Sequence, residues 1–385
     1  MKTIALMVEN SRAYGRSMIE GIAAYAQERH GWTLRPLKVE EAFTAKLGRF
    51  DGVIARIAND RLAGQLMRSG LPVVDAFCQR IRPGVAGVDS DHARIGHKAR
   101  TFFRARGFRH LAYCGIPGAA FSDQREIAFA EPDTHVYRPA DQNLRPIDES
   151  QFYDERLDHI PDVRSLEKWV RALPKPVAVF CCNDLRAIQL QQVALGCGLR
   201  VPQDVALLGV DDDTILCSFA EVPISSIDPN AFRVGYAAAR LLRATMERPA
   251  AAKPHPVHHV PAGEIIERQS TEFMPIDPPW LGEILLHIER NMRRPVGASE
   301  IFALAGRSST AVENVFRDKL GTSVQGYIGM VKLEYARKLL SDPALRISEI
   351  GDLCGFASPQ YFCRAFTARF GLSPRALRRR LSAFA

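Results

Sequence analysis

The chain has 385 residues, more than the roughly 100–200 of one ordinary domain. With 46% hydrophobic and 24% charged residues it can bury sizeable cores, which excludes wholesale disorder. The formal net charge is +8, of which +6 falls on residues 277–385, so an anionic partner is expected at that end.

The N-terminus opens on a short apolar run, Thr3 to Val8, broken by Glu9. It is too short for a signal-peptide core or a membrane span, and no later run is long enough to cross a bilayer. The eight cysteines include no Cys-x-x-Cys pair and mostly sit in apolar text. A reduced, cytoplasmic protein with no membrane partner is the expectation.

Over the first 270 residues two kinds of text alternate. The runs Ile4–Val8, Gly52–Ile57, Pro72–Phe77, His110–Cys114, Val177–Cys181 and Val205–Val210 read as buried parallel strands. Between them lie stretches of helical period. Ser17–Arg29 puts Met18, Ile19, Ile22, Ala23 and Ala26 on one face. Asp91 can cap a helix that buries Ile95, Ala99, Phe102 and Phe103 and stops near Gly107. Asn183–Gly196 and Pro229–Met246 behave likewise. This alternation predicts doubly wound parallel sheets, and 270 residues suit two such lobes better than one.

Residues 271–279 hold three prolines and read as a linker. From 280 to 385 the text is helical throughout and repeats itself. Ser299-Glu300-Ile301, Leu304 and Gly306 recur 49 residues later; Ser308, Phe316, Gly321 and Ser323 recur 50 residues later. Each copy reads helix, glycine turn, serine cap, helix, glycine stop, which predicts two helix-turn-helix units. Between them, Ser323–Ser341 predicts one long helix of roughly 28 Å, close to the roughly 34 Å between successive major-groove faces.

The second helices of the two units would span Ser308–Lys319 and Ser358–Phe370. With Val312, Val315 and Phe316 inward, the first leaves Ser309, Thr310, Glu313, Asn314 and Arg317 outward. With Phe362, Ala365 and Phe366 inward, the second leaves Gln360, Tyr361 and Arg364 freer. Asn and Gln can pair bidentately with adenine and Arg with guanine, so Asn314, Gln360 and Arg364 are the base-reading candidates. A merely solvated polar face is the alternative. Arg375 and Arg378–Arg380 either hold phosphates or complement a helix end.

The large N-terminal region shows no catalytic constellation, no nucleophile elbow and no P-loop; Gly115–Gly118 reads as a turn. No cofactor or metal is expected, and His255, His258 and His259 read as a strand edge. Asp211, Asp212 and Asp213 follow a strand directly. There they could bind ligand hydroxyls or a divalent ion, or simply make a turn. Asn183 and Asp184 could cap a helix.

Two family resemblances sharpen this. The string LCGFASPQYFCRAFTARFGLSP at 353–374, with Gly306, Ser308, Phe316 and Gly321 ahead of it, resembles the AraC-type DNA-binding domain. That implies sequence-specific major-groove binding, with Thr310, Asn314, Gln360, Tyr361 and Arg364 where DNA contacts are expected. Arg307 departs from that pattern, which usually has an apolar residue after the turn glycine, and Asn314 stands where arginine is frequent. The strings VAVFCCND at 177–184 and GLRVPQDVALLGVDD at 198–212 resemble the sugar-sensing core of the LacI/GalR family, related to periplasmic binding proteins. That implies an effector cleft lined by Arg125, Asn183 and Asp211, with Tyr14 and Arg16 as further candidates. The family usually has a longer helix after the arginine, and Glu126–Pro132 looks abrupt.

That family carries an N-terminal DNA-binding headpiece, whereas here the sequence is expected to place its reader at the C-terminus instead. This arrangement is similar to that of xylose-operon activators. It implies a two-lobed periplasmic-binding-protein-like α/β sensor with an all-α double helix-turn-helix domain. It also implies a homodimer, a pentose effector with xylose foremost, regulation of sugar catabolism, and RNA polymerase as a further partner. An α/β sugar- or nucleotide-acting enzyme with a helical interaction tail, or a DNA-binding regulator whose core only dimerises, are the alternatives.

Overall fold

The computed structural model describes residues 1–29, 31–38, 41–44, 47–139, 162–247, 257–292, 294 and 296–382. The chain divides into two compact units, Met1–Glu272 and Phe273–Ala385.

The first unit holds two six-stranded sheets. Its strands are β1 (Lys2–Met7), β2 (Trp32–Pro36), β3 (Gly52–Ala55), β4 (Val73–Asp75), β5 (Ala86–Ser90), β6 (His110–Cys114), β7 (His135–Val136), β8 (Val177–Cys181), β9 (Val205–Val210), β10 (Ser225–Ile227), β11 (His258–Val260) and β12 (Ile265–Ile266). One sheet runs β11-β5-β4-β3-β1-β2 and the other β12-β10-β9-β8-β6-β7. Every pairing is parallel except β12, which runs antiparallel to β10 and so departs from the all-parallel expectation. β3, β8 and β9 are buried along their whole length, which is why their text is an unbroken apolar run. His258 and His259 lie on the edge strand β11, whereas His255 lies outside the described residues.

The chain crosses between the lobes three times: at Asp91, at Asp228–Asn230 and after Val260. These crossings are tied to one another. The Asp91 amide donates to Val260 O at 2.8 Å, and the Ser90 hydroxyl donates to Pro229 O at 2.9 Å. In the first lobe the helices Ala13–Arg29 and Ala231–Glu247 cross where each carries a glycine. A Cβ on Gly21 would stand 1.9 Å from Phe232 O, and one on Gly235 would stand 1.9 Å from Met18 O. Only glycine admits that approach.

The second unit is helical: Pro279–Arg290, Ala298–Ala305, Ser309–Leu320, Val324–Leu339, Ile347–Leu353, Pro359–Phe370 and Pro374–Ser382. It has two cores that share the Val324–Leu339 helix. Val324 and Ile328 pack with Ile301, Val312 and Phe316, while Leu333 and Ala336 pack with Ile350, Phe362 and Phe366. Gly306, Gly321, Gly355 and Gly371 all have φ between 59° and 69°, so the repeated glycines are left-handed stops. The long helix has 16 residues, hence about 24 Å, shorter than the 19-residue reading.

Two residues of the stretch 271–279 are buried. Thr271 is buried with Ser225 in the second lobe, and Met274 is buried in the first helical core.

Candidate effector cleft and nucleic-acid interface

In an open parallel sheet the strand carboxyl ends are where loops can gather around a ligand. Here both lobes turn those ends toward one cleft of about 840 Å³, counting its open mouth. The first lobe contributes Glu9, Arg12 and Tyr14 after β1, Arg56 after β3, Phe77 after β4 and Asp89 at the end of β5. The second contributes Phe121 and Arg125 on the helix after β6, Asn183 after β8, and Asp211 and Asp213 after β9. His92, past the first crossing, completes the wall.

Arg125 is 3% exposed and donates to Cys182 O, which fixes one end of the guanidinium. Its Nε is buried with no partner among the described residues, and its Cζ lies 5.2 Å from the Phe121 ring. A buried donor without an acceptor is costly, so this group is poised for a ligand oxygen. The Ala120–Phe129 helix that carries it continues through Phe129, four residues past Arg125.

Asn183 does cap the Asp184–Gly196 helix, accepting from the Arg186 amide at 2.8 Å, and lines the cleft at the same time. Asp184 is consumed internally: it accepts from the Ser226 hydroxyl at 2.6 Å and the Asp213 amide at 2.9 Å. Burial, then the neighbouring Asp211 charge, pushes its carboxyl well above the usual range.

Asp211 has φ 117° and Asp212 φ 46°, a strained turn for residues with a Cβ. The turn splits the acidic trio. Asp212 pairs with Arg268 at 2.7 Å, while Asp211 and Asp213 line the cleft. Burial raises the Asp211 carboxyl to about 6, and the Arg125, Arg56 and Arg12 charges oppose that rise.

Tyr14 lines the cleft with its hydroxyl 3.2 Å from Ser90 Oγ. Arg16 is not brought to the cleft wall. Its guanidinium bonds Ser11 O at 2.5 Å and lies 3.7 Å from the Asp213 carboxylate. Helical spacing explains the difference, since two residues after Tyr14 the side chain points some 200° away.

Sequence reasoning missed Glu9, Arg12, Arg56, Phe77, Asp89 and His92. Arg56 and Phe77 were within reach, because β3 and β4 were legible and strand carboxyl ends are the rule. Asp89 and His92 were not, because Ala-Gly-Val-Asp-Ser at β5 is not strand-like text. Arg56 Cζ lies 4.2 Å from the Phe77 ring and 5.4 Å from the Tyr14 ring. His92 is 4% exposed, with Nε2 3.3 Å from Asp89 Oδ2, and burial lowers its pKa.

In the helical unit, Ser308 and Ser358 cap their helices by accepting from the Ala311 and Tyr361 amides at 3.3 and 3.2 Å. Thr310 and Asn314 are exposed one turn apart on Ser309–Leu320, and Gln360 and Arg364 are exposed one turn apart on Pro359–Phe370. Tyr361 is 51% exposed, with Arg364 Cζ 5.9 Å from its ring. Glu313 is half-buried rather than outward. Arg375, Arg379 and Arg380 are exposed. Arg378 turns inward and donates to Leu340 O and Leu345 O, bracing the end of the long helix.

Comparison with known proteins agrees with both halves. Residues 100–271 match a periplasmic binding protein-like domain, and residues 302–380 match a helix-turn-helix domain. The xylose operon regulatory protein of Escherichia coli K12 is 25% identical, over 97% of this chain and 96% of that one. The similarity therefore runs through both halves of the chain. The xylose operon regulatory protein of Haemophilus influenzae is 22% identical over 97% of each chain. A solved structure of the xylose-binding transcription activator XylR shares the fold, with a TM-score of 0.58 and 24% identity over 98% of this chain and 97% of that one. This chain thus joins a periplasmic-binding-protein-like core to a C-terminal helix-turn-helix domain, and the xylose operon regulatory proteins are similar to it along its whole length.

Proposed function

We propose that this chain is a transcription regulator of sugar catabolism, an activator, that senses a monosaccharide with xylose the leading candidate. What carries the reading is the gathering of Arg125, Asn183 and Asp211 in one cleft, although they come from three separate strand ends. Guanidinium, amide and carboxylate are the directional donors and acceptors that a polyol needs. Phe77, Phe121 and Tyr14 add apolar faces for its C–H surfaces. The whole-length similarity to xylose operon regulatory proteins supports the pentose.

Effector binding favours one arrangement of the two lobes, and that preference changes how the helical units address DNA. Thr310, Asn314, Gln360, Tyr361 and Arg364 contact the major groove. The active species is a homodimer in the cytoplasm that recruits RNA polymerase, and residues near 271–279 connect sensor to reader. No helix among the described residues is long and apolar enough to cross a membrane.

A thermal-shift screen of the full chain against monosaccharides tests the sensor. Xylose should raise the melting temperature with a saturable dose response; no stabilisation by any sugar would sink the sensor reading. Footprinting with and without the stabilising sugar tests the reader.

A further inference from the structure

The first-turn N–H groups of a helix need acceptors from outside the helix. Two helices at the cleft lack a capping side chain of their own. Ala13–Arg29 follows Arg12, which has only donors, and Ala120–Phe129 follows Ala119, which makes no side-chain cap. In each case the acceptor comes from the opposite lobe. The Ala13 amide donates to Asp213 Oδ2 at 3.2 Å, and the Ala120 amide donates to Gln79 Oε1 at 2.9 Å.

Asp213 follows β9 in the second lobe, and Gln79 follows β4 in the first. Each lobe thus offers one helix N-terminus and receives one acceptor, in a reciprocal pair of caps flanking the ligand cleft. Two further contacts span the same gap. Arg16 lies 3.7 Å from the Asp213 carboxylate, and the Phe77 and Phe121 ring centroids are 6.4 Å apart.

We propose that Gln79 and Asp213 form a two-point interlobe latch, which holds the cleft closed through reciprocal helix caps and sets how tightly an effector binds. When the lobes part, both amides and both acceptors pass to water, so the latch opens as a unit. Arg16, expected to touch the effector, serves the latch instead. The consequence for affinity rests on the effector reading above, but the latch itself does not.

Hydrogen–deuterium exchange of the ligand-free full chain tests it, with Gln79→Ala as the variant. Loss of a local cap would speed exchange only around Ala120. Loss of a latch also speeds exchange on the far side of the cleft, at the first turn after Ala13, by about fivefold. Gln79→Glu, which keeps an acceptor oxygen, should restore protection at both places, and Asp213→Ala, which removes the acceptor, should loosen the Ala120 turn reciprocally. Unchanged protection across Val177–Cys181 confirms that each variant is folded. Exchange confined to the mutated contact would overturn the latch. With xylose as probe, Gln79→Ala should bind about fivefold more weakly; equal affinity would overturn the coupling. Failure of xylose to bind even the wild type counts against the effector assignment alone, because the exchange pattern still decides the latch.

Discussion

The cleft and the reading helices handle polar side chains in opposite ways. In the cleft they are buried or half-buried and already bonded to the surrounding protein: Asp184 to the Ser226 hydroxyl and the Asp213 amide, Asn183 to the Arg186 amide, Arg125 to Cys182 O. On the reading helices Thr310, Asn314 and Gln360 stand exposed, with the Ser308 and Ser358 caps behind them. A pre-bonded site loses little entropy on binding but is sensitive to any change of charge. An exposed site has no such internal balance, so its residues can be exchanged with little effect on folding.

The largest expected effect therefore lies in the cleft. Arg125→Ala removes a buried donor and leaves Cys182 O and Asp211 without that cation. Xylose affinity should fall by about 3 kcal/mol, the upper range for a hydrogen bond to a charged group. The thermal shift induced by sugar should vanish, while DNA binding by the helical unit persists. Retained stabilisation by sugar would show that Arg125 is only a structural brace for Cys182 O.

On the reading side, Asn314→Ala, Gln360→Ala and Arg364→Ala should each cost about 1–3 kcal/mol of operator affinity and relax specificity at one position. Folding stability should hardly change. A uniform loss on every DNA sequence would make these residues phosphate contacts, and the contrast with the cleft would then concern charge rather than base reading.

The same contrast explains what was legible in the sequence. The readers were accessible because the repeat aligns Thr310 with Gln360 and Asn314 with Arg364, and the glycine–serine turn sets which face leads. The central strands were legible because they are buried on both faces. The cleft was only half legible, since its walls are assembled from seven chain segments that no local pattern connects. Asp211 followed from its place after a strand, Asn183 and Arg125 came from the resemblance, and Arg56, Asp89 and His92 needed the fold. The turn at Asp211–Asp212, with positive φ at both residues, could not be read from three consecutive aspartates. Nor could Gly21 and Gly235 be read as a helix crossing, because the partner of each is more than two hundred residues away.

A pH series sharpens the comparison further. The folded-state pKa of Asp211 is raised from the ordinary 3.8 to about 6, so the folded protein holds a proton that the unfolded chain releases. Its contribution to stability is present below about 4 and is lost as pH rises through 6. The groups that set it are Arg125, Arg56 and Arg12, which oppose the rise, and Asp213, which adds to it. Asp211→Asn is uncharged throughout. Its melting temperature should therefore gain on that of the wild type between pH 4.5 and 7, and parallel curves would mean that Asp211 titrates normally. Exposed reader residues should show no such slope.

The smallest expected effect separates the two readers from each other. The second copy follows its turn glycine with Phe356, whose ring packs 5.1 Å from Phe362. At the corresponding place the first copy has Arg307, whose Cζ lies 5.5 Å from the Trp280 ring. The first reader is thus tied to the preceding Pro279–Arg290 helix by a cation–π contact, where the second is anchored by an aromatic core residue. Exposed contacts of that kind are worth about 0.5–1 kcal/mol. Arg307→Ala should lower stability by that much, with the salt dependence of operator binding unchanged. If the salt slope instead falls by about one, Arg307 is a phosphate contact. Its departure from the family pattern would then serve DNA affinity rather than the packing of the first unit.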